Sequence, residues 1–175
     1  MSTFLPGVPE PGEYAPFFAG YVAKVQSCTD PVEKLDQQLA EVVSLLRPLD
    51  EKTQLHRYAP EKWSVKDLVG HVIDTERIFA YRALRIGRGD QTALPGFDEN
   101  PYVQAAEVES CDWALLLEEF THVRRASILM LKRMPEAAWT RTGTANGTPI
   151  SVRALVYIMI GHVAHHLDIL RERYL

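Results

Sequence analysis

Three histidines, His162, His165 and His166, crowd a short stretch near the carboxyl end of the chain, and His162 and His166 stand four residues apart. On a helix, residues four apart are neighbours separated by about one turn of rise, so both imidazoles can aim at a single point. That is the geometry of a chelate for a divalent metal ion. The flanking residues predict the helix, because Leu155, Ile158, Met159, Val163, Ile169 and Leu170 recur at helical spacing and put both rings in one apolar stripe. Two buried imidazoles cost free energy unless both are satisfied, and one metal ion satisfies both while keeping them from charging. The competing reading is a pair of core histidines hydrogen-bonded to buried polar groups. No His-Glu-x-x-His sequence is present, so the metalloprotease motif is excluded.

A third ligand has to come from another helix, and the candidates are His56, His71 and His122. His56 precedes Arg57 in a polar connection, and His122 lies beside Glu118, Glu119 and Arg125, so both read as solvated. His71 remains, inside a helical segment but on the same face as Leu68, Thr75 and Ile78 rather than at the centre of that helix's apolar stripe. Glu76 falls within the stripe formed by Val65, Val69, Val72, Phe79, Ala80 and Ala83, where a carboxylate needs a partner. It either pairs with an arginine or orients a ligand imidazole from behind. His165, rotated off the stripe, is either a surface neighbour or a general base beside the metal. Imidazole ligands suit zinc, nickel, copper and iron alike, and zinc or nickel is the expected ion.

Four helices would position these residues. Asp30-Pro31-Val32-Glu33 combines an N-cap acid, a first-turn proline and a glutamate, and predicts a helix running to Pro48. Ser64 and Asp67 form a near capping box for a second helix ending at about Gly87. Residues 89–109 carry two prolines, Gly96 and several acids without periodicity, and predict a long connection. Ser110 is the expected cap of a third helix closed by Pro135. Residues 140–149, with the turn pair Asn146-Gly147, predict a loop or small hairpin. The fourth helix starts near Ser151 and reaches the C-terminus. Before all of these come a proline-rich arm and a short helix carrying the aromatic cluster Tyr14, Phe17, Phe18 and Tyr21. The expected fold is all-α, a four-helix bundle in which the long connection makes the second and third helices parallel.

The length of 175 residues fits one domain, 1–175. No apolar run is long enough to span a bilayer, and the N-terminus lacks the pattern of a signal peptide, so a cytoplasmic protein without a membrane partner is expected. Cys28 and Cys111 match neither a zinc spacing nor a disulfide framework. The net charge is −4, with bases interleaved among acids, which argues against nucleic acid as a partner. The expected partner is a small-molecule substrate, with homodimer formation left open.

The blocks Tyr58-Ala-Pro-Glu-Lys-Trp-Ser-Val-Lys-Asp-Leu-Val-Gly-His71, Gly96-Phe-Asp-Glu-Asn100 and Gly161-His-Val-Ala-His-His-Leu167 together resemble the DinB/YfiT-like superfamily over nearly the whole chain. The resemblance implies an up-down-down-up four-helix bundle in which three histidines bind a divalent ion, at positions corresponding to His71, His162 and His166. It also implies a choice of chemistries: transfer of a low-molecular-weight thiol of the bacillithiol or mycothiol type to an electrophile, metal-dependent hydrolysis, or metal and ligand binding without catalysis. Three neutral imidazoles leave such an ion an open position that favours either a thiolate or an activated water.

Overall fold

The computed structural model describes residues 4–175 and is built on four long helices among seven. A short helix α1 (Ala19–Lys24) follows the N-terminal arm, and α2 (Pro31–Leu46) starts where Asp30 accepts hydrogen bonds of 3.0 Å from the amides of Val32 and Glu33. After the one-turn α3 (Glu51–Gln54), α4 (Val65–Gly87) opens on a complete capping box between Ser64 and Asp67. The connection that follows is not structureless: it holds α5 (Glu99–Ala106), capped by Asp98, and a 3₁₀ turn over Val108–Ser110. Ser110 therefore ends a turn rather than starting a helix. The cap of α6 (Trp113–Lys132) is Asp112, which accepts from the Leu115 amide at 2.9 Å. A hairpin of β1 (Thr142–Ala145) and β2 (Thr148–Ser151) precedes α7 (Val152–Ile169), which Ser151 caps and a π-helical turn extends to Tyr174. Asn146 and Gly147, with φ of 50° and 73°, make the tight turn the hairpin requires.

Pairwise contacts fix the directions. Trp113 at the start of α6 donates to the Leu46 carbonyl at the end of α2, while Arg125 lies 3.9 Å from Asp36 further along, so α2 and α6 run antiparallel. Lys66 near the start of α4 donates to the carbonyls of Glu109 and Cys111 just ahead of α6, and Met134 just past α6 packs over Gly87 at the end of α4. Those two helices are parallel. Val152 also packs near Gly87, so α7 returns antiparallel to α4, and Gln38 to Ile160 (2.9 Å) with Glu41 to Arg171 (2.7 Å) makes α7 parallel to α2. The bundle is up-down-down-up.

α7 departs from the amphipathic helix its sequence suggests, because it is buried all round from Ala154 to Val163. The face away from the bundle is covered by α1, whose backbone lies against α7 at Gly161; a β-carbon there would collide with the Tyr21 carbonyl. Glycine at 161 thus sets the distance at which α1 and its aromatic residues dock beside His162. No helix among the described residues is long and apolar enough to cross a membrane.

Candidate metal centre

His71 on α4 and His162 and His166 on α7 converge in the core. Nε2 of His162 lies 3.0 Å from Nε2 of His71 and 3.0 Å from Nε2 of His166, and one ring nitrogen from each of the three falls within 4.8 Å of the others. All three side chains are buried. Burial lowers the pKa of His71 to about 4; burial, with His71 and His165 nearby, lowers that of His166 to about 3; burial and its three histidine neighbours hold His162 well below the ordinary range. They are therefore neutral near pH 7. The single in-plane site on His162 Nε2 can satisfy one neighbour but not two, whereas a cation at the centre satisfies all three. Nitrogens about 3.3 Å apart are what tetrahedral zinc imposes at ~2.0–2.1 Å bonds, so the donor set fits a zinc-type ion. The Thr75 hydroxyl sits 3.5 Å from His71 Nδ1, on the side away from the cluster.

Aromatic rings shield the cluster. The Trp63 indole lies tilted against His71 at 4.7 Å, and Tyr21 and Phe79 meet His162 edge-on at 5.5 and 6.2 Å. Beyond them opens a cavity of about 290 Å³ whose wall includes His71 and His162, with Phe17, Phe18, Tyr21, Phe79, Phe97 and Arg82 around it. His166 lies behind the other two, facing the bundle interior. The hairpin holds the far wall and is tied to Leu94, whose amide donates to the Thr144 carbonyl at 2.9 Å and whose carbonyl accepts from the Asn146 amide at 3.0 Å.

The family model of the DinB superfamily matches residues 34–170, a span that contains all three converging histidines. The chain belongs to the DinB superfamily. Among solved structures it is similar to YfiT from Bacillus subtilis, described as a probable metal-dependent hydrolase with an unusual four-helix bundle topology; the TM-score is 0.72 at 14% identity, covering 81% of this chain and 84% of that one. No curated protein matches. In this DinB-superfamily chain, α1 and the aromatic residues it brings to the cavity precede the matched segment.

The remaining candidates fall elsewhere. Both oxygens of Glu76 accept from Arg124 Nε at 2.8 Å, and Arg124 Nη2 lies 2.7 Å from Oε2. Its hydrogen-bond partner is thus an arginine, and no imidazole among the described residues bonds to it. His165 sits half-buried at the edge of α7, 5.5 Å from the Tyr21 ring and close to the Lys24–Asp168 ion pair, outside the converging trio. Burial and Lys24 lower its pKa against the opposing pull of Asp168. His56 and His122 are exposed. Sequence reasoning missed Arg124, although its position four after Phe120 and four before Ile128 puts a cation in the α6 stripe. It also missed Arg82, which lies three residues after Phe79 and for which the sequence gives no comparable signal.

A pH dependence follows from the buried imidazoles. With folded-state pKa values below the ordinary imidazole value of about 6.5, the metal-free folded protein binds fewer protons than the unfolded chain between about pH 6.5 and about 4. Stability is therefore lost as pH falls through that window and is unaffected by these groups above it. The Tm of chelator-treated protein is expected to drop between about pH 7 and about pH 5. A flat Tm in thermal melts over that range would contradict buried neutral histidines.

Proposed function

We propose that this chain is a metal-dependent enzyme that joins a low-molecular-weight thiol, of the bacillithiol or mycothiol class, to a small electrophile. The observation that carries the reading is the three-imidazole cluster, two of whose members, His71 and His162, line a cavity walled largely by aromatic rings. His71, His162 and His166 are the residues that would hold a divalent ion of the zinc or nickel type. Such an ion, when bound, supplies a Lewis-acidic position that keeps a thiol as its thiolate near neutral pH. The aromatic walls receive the carbon electrophile and keep water from competing for it. The carbon–sulfur bond forms as the bond to the leaving group breaks, and a halide departs with its electron pair, so no proton has to be delivered.

That last point favours thiol transfer over hydrolysis. Cleaving an ester or amide calls for a general acid at the leaving group; the two buried carboxylates are both engaged elsewhere, and the carboxylate on the cavity wall is the exposed Glu99. Asp67 closes the α4 capping box and lies 2.9 Å from Arg57, and Glu76 is held by Arg124. The likeness to YfiT favours hydrolysis as the second reading, with the half-buried His165 beside Tyr21 as the candidate base. The test is a screen of thiols against electrophiles with zinc- and nickel-loaded protein. Loss of a chlorinated nitroaromatic that requires both metal and thiol is the expected result. Turnover of ester or amide substrates without thiol would replace this reading by hydrolysis, and tight metal without any turnover would make the protein a binder.

A further inference from the structure

The described residues include two buried arginines, and they are treated oppositely by their surroundings. Arg124 is bound by the Glu76 carboxylate, the Leu35 carbonyl and Gln38. Arg82, only 5% exposed, lies within salt-bridge distance of no carboxylate among the described residues, and its one hydrogen bond to protein runs from Nη2 to the Pro95 carbonyl at 2.7 Å. The guanidinium carbon lies 5.9 Å from the centre of the Phe79 ring and 6.0 Å from that of Phe97, and the residue lines the same cavity as His71 and His162.

A guanidinium has five N–H donors in a planar fork that matches an oxyanion. Within the protein that charge meets only two aromatic faces and one carbonyl, which compensate it in part and leave the remaining donors to whatever fills the cavity. Burial lowers its pKa with no carboxylate working in the other direction. Arg124 has its charge met within the protein, with Nε and Nη1 hydrogen-bonded and Nη2 lying 2.7 Å from the Glu76 carboxylate. Arg82 keeps the rest of its fork beside an aromatic-walled space.

We propose that Arg82 is an anion anchor, and that the ligand of this cavity carries a carboxylate on an apolar or aromatic body, its acid end at Arg82 and its other end toward His71 and His162. The inference rests on the reading of this cavity as the substrate chamber, and not on the identity of the metal or the thiol. The carboxylate can belong to the electrophile or to the thiol cosubstrate.

Direct binding tests it without any turnover. Calorimetric titration of chelator-treated protein with phenylacetate and phenylacetamide compares an acid with its neutral isostere. The acid is expected to bind at least about tenfold more tightly. Arg82→Gln is expected to remove the preference and Arg82→Lys to retain part of it. N-acetylcysteine against its amide, titrated in parallel, shows whether the thiol is the acidic partner. Equal binding of acid and amide by the unaltered protein overturns the proposal even if Arg82→Gln fails to fold; so does a preference that survives in Arg82→Gln. An Arg82-dependent acid preference in a protein that shows no thiol transfer would leave the anchor standing and remove only the functional reading above.

Discussion

Arg124→Ala is expected to cost about 3–5 kcal/mol of folding stability, a large share of the ~5–15 kcal/mol available to a domain. The reason lies in what remains. Glu76, 3% exposed, would be left buried with no partner, and Gln38 and the Leu35 carbonyl would lose their donor. The damage reaches every helix of the bundle. Glu76 is on α4, Arg124 on α6 and Gln38 on α2, and Gln38 in turn donates to the Ile160 carbonyl on α7, two residues before His162. Glu76→Ala should cost a similar amount. Replacing both by apolar residues, Glu76→Leu with Arg124→Met, is expected to restore much of the loss, because removing an ion pair whole leaves no orphaned charge. Urea unfolding of the four proteins checks this. Single-variant losses under about 1 kcal/mol would mean that the network contributes no more than an exposed ion pair does.

The long helices and the α7 histidine pair were legible because each rests on local rules. The proline after Asp30, the Ser64–Asp67 box and the four-residue step from His162 to His166 depend on neighbours in sequence alone. The hairpin was half legible, since Asn146-Gly147 signals a turn but the flanking strands are only four residues each. α5 was hidden: Pro101 sits inside it, and Val103 is its single buried residue, which leaves no apolar stripe to read. His71 looks like an edge residue because the cover over its face comes from outside the helix. Trp63 packs tilted against its ring, and Val108 from the connecting turn lies against Gly70. The same holds for α7, whose outer face is covered by α1. Glu76 raised the right question, but its partner is 48 residues away, on a helix whose orientation the local sequence does not encode.

Removing a single imidazole from the cluster is expected to weaken metal binding by about a hundredfold or more, if a free energy of ~10–16 kcal/mol for zinc binding is shared among a few ligands. His162 is the most sensitive position. Its Nε2 is the one that meets both neighbours at 3.0 Å, and its loss leaves His71 and His166 on different helices without the nitrogen between them. His166→Ala removes the second arm of the α7 chelate and His71→Ala the only ligand from α4. His165→Ala touches none of the converging nitrogens. Stability should fall modestly in these variants without loss of the fold, since the apolar core on either side of the cluster is unchanged.

The most direct measurement is metal content after incubation with limiting zinc or nickel and removal of free ion, for the unaltered protein and the four single variants side by side. About one equivalent in the unaltered protein and in His165→Ala, with occupancy lost in His71→Ala, His162→Ala and His166→Ala, is the expected result. Full occupancy in His162→Ala, or loss in His165→Ala with retention in His166→Ala, would contradict the assignment of the centre to His71, His162 and His166.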